Sequence, residues 1–150
     1  MKAQRIAIFA AAAALVGAPA LAQDAMKASA GLHSYQFSAE NGSGETGTVS
    51  LAAAGKNSTT VTIAITGAPA GAQPAHIHKG SCAKLGAVVY PLSNVVGGKS
   101  TSAVKSSLPD LAGEAYAVNV HKSLSDIGTY VACADLTKAV TPASSPVPKM

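Results

Sequence analysis

Residues 59–66 read Thr59-Thr60-Val61-Thr62-Ile63-Ala64-Ile65-Thr66. Val61, Ile63 and Ile65 fall on one side of an extended chain, and Thr60, Thr62, Ala64 and Thr66 on the other. That is the period of two of a half-buried strand, written in residues that favour strands. The same pattern recurs in both directions. Upstream, Leu32 to Ala39 carries Tyr35 and Phe37 on alternate positions, and Gly47 to Ala53 carries Val49 and Leu51. Downstream, Ala75 to His78, Val88 to Leu92, Ser100 to Val104, Glu114 to His121 and Thr129 to Leu136 read as further strands. Pro91 places the Val88 strand at a sheet edge or at a strand end, because proline cannot donate to a ladder.

Turn material separates the strands: Glu40-Asn41-Gly42-Ser43-Gly44-Glu45, Ala54-Gly55-Lys56-Asn57, Gly67-Ala68-Pro69-Ala70-Gly71 and Gly97-Gly98. Short strands at this spacing predict an all-β sandwich or barrel. No window of 11 residues beyond residue 22 carries a helical stripe.

The first 22 of the 150 residues read as a secretory signal. Lys2 and Arg5 precede an apolar run from Ile6 to Val16, Gly17 and Pro19 end it, and Ala20-Leu21-Ala22 has the small-x-small form of a cleavage site. The run is shorter than the roughly 20 residues of a membrane span. Residues 23–31 read as a loose start, 32–136 as the β domain, and 137–150, with Pro142, Pro146 and Pro148, as a disordered tail. The destination is the periplasm or the outside of the cell, with no membrane attachment after cleavage.

Composition narrows the function. The apolar fraction of 48% is inflated by alanine, and only 12% of residues are charged. Beyond the leader stand nine lysines, seven acids and no arginine. Nucleic-acid binders show clustered basic residues and stacking aromatics, so that class is set aside. Cys82 and Cys133 are the only cysteines. An oxidising compartment makes one disulfide the leading reading, with free or metal-binding thiols as the rival.

Four histidines follow the leader: His33, His76, His78 and His121. His76 and His78, two apart on a strand, leave the same face about 6–7 Å apart, with Ile77 between them pointing into the core. If Tyr116, Val118 and Val120 face inward, His121 faces outward. The three imidazoles then meet on the outer surface as a half-exposed metal site, a donor set that suits copper, zinc or nickel. His33 reads as an ordinary residue at a strand start. Lys79 and Lys122 adjoin the ligands and offer anion steering. Asp126 and Asp135 are candidate partners to a ligand histidine.

At this point the residues resemble a family. Ala75-His76-Ile77-His78-Lys79-Gly80 followed by Gly86-Ala87-Val88-Val89, and then Ala117-Val118-Asn119-Val120-His121, resemble the two signatures of CHRD domains. The layout is also similar to copper/zinc superoxide dismutase, a Greek-key β-barrel, in which an H-x-H strand and a late histidine hold copper. Gly128-Thr129-Tyr130-Val131-Ala132-Cys133 is similar to a dismutase segment whose cysteine bonds to one in the loop after H-x-H, here Cys82. The similarity spans roughly residues 48–136.

The resemblance implies a Greek-key β domain with one disulfide and copper on His76, His78 and His121. The departures are equally informative. No histidine lies between His78 and His121, so no zinc site of the dismutase kind is expected. Tyr130 stands where the dismutase has its substrate-guiding arginine. The loop between Ser123 and Gly128 is short for an electrostatic channel. The expectation is an exported, non-enzymatic dismutase-like domain with a three-histidine copper site. A zinc-free, copper-only superoxide dismutase and a purely structural secreted module are the alternatives.

Overall fold

The structure, a computed structural model, describes residues 31–137. The expected signal, nearly all of the loose start and nearly all of the tail lie outside the described residues. Eight strands follow in chain order: β1 (Leu32–Ala39), β2 (Thr46–Gly55), β3 (Ser58–Thr66), β4 (Ala75–Ser81), β5 (Lys84–Pro91), β6 (Lys99–Val104), β7 (Tyr116–His121) and β8 (Tyr130–Asp135). They form one antiparallel sheet in the order β5-β4-β7-β8-β1-β2-β3-β6, curled into a half-barrel. β1–β2–β3, β4–β5 and β7–β8 pair as chain neighbours. β6 returns to β3 and β7 returns to β4, the long returns of a Greek key. The all-β reading holds, and β5 is an edge strand that ends at Pro91.

The core is built from the alternation in the sequence. Tyr35, Phe37, Val49, Leu51, Val61, Ile63 and Ile65 from β1–β3 meet Ile77, Val118, Val120, Ala132 and Ala134 from β4, β7 and β8. Ile77 is fully buried, as its place between two outward residues requires. At the barrel end Glu45 is also buried, and Gln73 Nε2 donates to both of its carboxylate oxygens, at 3.0 and 3.1 Å.

One element departs from the sequence reading. A six-residue helix, α1 (Leu108–Gly113), joins β6 to β7. It is shorter than the window in which a helical stripe registers. Its local signals are nonetheless present: the Ser107 hydroxyl accepts from the Asp110 amide at 3.2 Å, and Pro109 sits in the first turn. Leu108 and Leu111 face the core. Among the described residues no helix is long and apolar enough to cross a membrane.

The β4–β5 hairpin shapes the region around the histidines. Gly80 has φ +94°, and a Cβ there would lie 2.4 Å from the Lys84 carbonyl oxygen, so only glycine fits this turn. Cys82 in the turn is bonded to Cys133 on β8. β7 lies between β4 and β8, so the bridge crosses the outer face of β7. The Cys82 amide also donates to Asp135 Oδ1 at 2.7 Å, a second tie across the same strand. This roof explains why β7 is buried on both faces and shows no alternation of exposure from Ala117 to His121.

Candidate metal centre

Register places the histidines. His76 pairs with Asn119 and His78 with Ala117 across β4 and β7, while Ile77 pairs with Val118 in the core. Paired residues share a face, so His76, His78, Ala117 and Asn119 all leave the sheet on its outer side. His121 lies two residues beyond Asn119 on that side. A bulge between β7 and β8, where His121 pairs with Tyr130 and Val120 with Ala132, leaves Val131 as the extra residue on β8 and keeps β7 regular. The Tyr130 ring stands edge-on to the His121 ring, centroids 5.1 Å apart.

The three rings converge. One nitrogen from each of His76, His78 and His121 lies within 4.8 Å of the other two. His76 Nδ1 and His121 Nε2 are 2.9 Å apart. The expected half-exposed site is corrected on one point: only His76 is half-buried, while His78 is 5% and His121 4% exposed. The disulfide-tethered turn and the loop after β7 cover what the sheet alone would leave open.

Two backbone carbonyls fix the tautomers. His78 Nδ1 lies 3.0 Å from Gly86 O, and His121 Nδ1 lies 2.5 Å from Ile127 O. A carbonyl oxygen only accepts, so both Nδ1 atoms carry a proton, and in the neutral ring the lone pair falls on Nε2. His121 Nε2 therefore accepts from His76 Nδ1. Burial, and then the neighbouring histidines, hold His76 below the ordinary imidazole range. Burial likewise holds His121 low against the opposing Ile127 hydrogen bond. Neutral rings are the form that binds metal.

The donor set fits an ion. Two nitrogens about 2.05 Å from one metal at a right angle stand about 2.9 Å apart, the His76–His121 spacing, and two ligands of one ion are at most about 4.1 Å apart. The widest pair must close by roughly 0.7 Å, comparable with ordinary side-chain displacements of about 0.5 Å per axis. His78 Nε2 is buried without a hydrogen-bond partner. A lone pair so placed is costly unless something occupies it.

Other sequence candidates fall elsewhere. His33 pairs with Leu51 on β1, its Nδ1 3.5 Å from the Tyr35 hydroxyl. Lys79 is corrected as a neighbour of the ligands: it pairs with Tyr116 and leaves the sheet on the face opposite the histidines. Lys122 follows His121, but its ammonium lies 3.4 Å from Asp126 Oδ2. Asp126, whose carboxyl is held low first by its bond to Thr129, serves that loop, and Asp135 ties the Cys82 turn. The orienting role expected of an aspartate is taken by the carbonyls of Gly86 and Ile127. Side-chain type carries no signal for a carbonyl, so the sequence could not disclose them. Comparison with known protein families, with curated proteins and with solved structures finds no match to the chain.

Proposed function

We propose that the chain is an exported, non-enzymatic domain of the dismutase-like, CHRD type that holds one copper ion on His78 Nε2, His121 Nε2 and His76 Nδ1, the last after its proton moves to Nε2 of the same ring and the bond to His121 gives way to the metal. The observation that carries this reading is the convergence of three imidazoles, two of them oriented by carbonyl oxygens so that their Nε2 atoms face a common point. Copper stands highest among divalent first-row metals for nitrogen donors. Bound there, it would supply a one-electron redox couple.

The positions of the motifs support the family reading. The His-x-His pair sits on β4, the late histidine ends β7, and Cys133 on β8 is bonded to Cys82 in the turn after His78. Burial favours holding over turnover: two of the three ligands are covered, and approach is from the His76 side. Lys79 pairs with Tyr116 on the alternate face, and Lys122 is paired at the surface with Asp126, whose opposite charge offsets its pull on an anion.

Calorimetric titration of metal-free protein with Cu2+ tests the proposal. One ion per chain is expected, and His76→Ala with His78→Ala removes it. Copper at about 100 times its Kd adds about 2.7 kcal/mol to native stability, a rise in Tm on the order of 10 °C. Equal melting with and without copper refutes the reading. Superoxide consumption faster than that of free copper would move the protein to the enzyme class.

A further inference from the structure

The outer face of β7 carries a second unexplained group. Asn119 is fully buried, and neither Oδ1 nor Nδ2 of its carboxamide has a hydrogen-bond partner. Leaving such atoms unmet in the interior is costly, because each loses its hydrogen bonds to water with nothing in return. The position does not call for asparagine on structural grounds. It lies inside a strand between Val118 and Val120, and asparagine is disfavoured in strands where valine is favoured. The residue therefore carries a cost in the metal-free fold.

Its surroundings indicate what it faces. Asn119 pairs directly with His76, which places their Cβ atoms about 4.5–5.5 Å apart. It stands two residues before His121 on the same face, and diagonally from His78. The third unpartnered buried atom on this face is His78 Nε2, itself one of the converging nitrogens. The disulfide that crosses β7 closes the space above. The carboxamide and the three imidazoles thus share one roofed patch, and the lone pairs left unmet there belong to groups that ligate metals.

We propose that Asn119 Oδ1 is a fourth, oxygen donor to the ion held by His76, His78 and His121. The inference rests on the copper reading above. An amide oxygen has the lone pairs to ligate, whereas the amide nitrogen has given its pair to the carbonyl. A neutral oxygen is a weak donor for copper beside three imidazoles, so it sets the shape of the site more than its affinity. Ligation satisfies an atom that the protein alone leaves unmet.

The experiment titrates the full chain with Cu2+ and records the electron paramagnetic resonance spectrum of the loaded wild type and of Asn119→Val. The expected result is a copper Kd raised about 10-fold, within the range seen when groups supporting a metal site are removed, and a changed copper hyperfine splitting. Metal-free Asn119→Val melts at or above the wild-type temperature. An unchanged Kd with a superimposable spectrum overturns the proposal. A lowered melting temperature with an unchanged spectrum also overturns it, and assigns Asn119 to a buried water instead. Should Asn119→Val fail to fold, Asn119→Asp decides: an anionic oxygen in the same place tightens copper binding at least about 10-fold, and equal affinity overturns the proposal. Wild type that binds no copper removes the parent reading, whereas wild type that binds and variants that match it remove only the fourth donor.

Discussion

Removing the Cys82–Cys133 bridge should cost this domain a large share of its stability. The bridge closes a loop with a sequence separation of 51. Chain-entropy arithmetic for a loop of that size gives about 4 kcal/mol at 25 °C. Small domains are stable by only about 5–15 kcal/mol in total. The alanine-rich composition, with no Trp, limits what the core can add. With about 4–8 °C of Tm per kcal/mol for a domain of this size, the expected fall is on the order of 15–30 °C. The perturbation is Cys82→Ala with Cys133→Ala, or reduction of the wild type. Because tryptophan is absent, melting is followed by far-UV circular dichroism or calorimetry. The loss extends to the metal centre. The bridge holds the β4–β5 turn over β7, and the strand after that turn supplies the Gly86 carbonyl that orients His78. Copper affinity should therefore fall together with stability. A Tm drop under about 5 °C would refute the entropic argument. Unchanged copper affinity in a clearly destabilised variant would show that the bridge does not support the site.

Two further outcomes are expected. Ile77→Ala opens a cavity in the core between the two ligands of β4; Ile77 is 0% exposed, so the cost is about 2–5 kcal/mol by urea denaturation, and a cost under about 1 kcal/mol would contradict its core position. Metal-free protein should lose stability on acidification from about pH 7.5 to about pH 5.5, because His76 and His121 are held below the ordinary imidazole value of 6.5. The unfolded chain then binds protons that the folded chain resists, so their contribution is whole above about 6.5 and is lost as the pH falls toward the lowered folded values; a denaturation midpoint that rises over this interval would reverse the sign and refute the assignment of neutral rings.

The strands were legible because their information is local. Val61, Ile63 and Ile65 alternate with threonines, and that alternation alone selects an extended chain with one buried face. The same rule put Ile77 inside and His76 and His78 outside before any partner strand was known. The cysteine pairing followed from there being only two cysteines. Helix α1 was missed because six residues are too few for a periodic signal, although Ser107 and Pro109 mark its start.

What the sequence by itself determined was therefore the strand pattern, the inward and outward sets and the residue types that can ligate. Tertiary structure decided the rest. Only the return of β7 to β4 brings His121 beside His76, 45 positions away in the chain. Only the bridged turn and the loop after β7 bury a face that alternation alone would leave in water, which is why His78 and His121 are covered and Asn119 is sealed without a partner. The atoms that orient two of the rings, the carbonyls of Gly86 and Ile127, belong to the backbone common to all residues. Their role comes from where the chain passes, and no side chain records it.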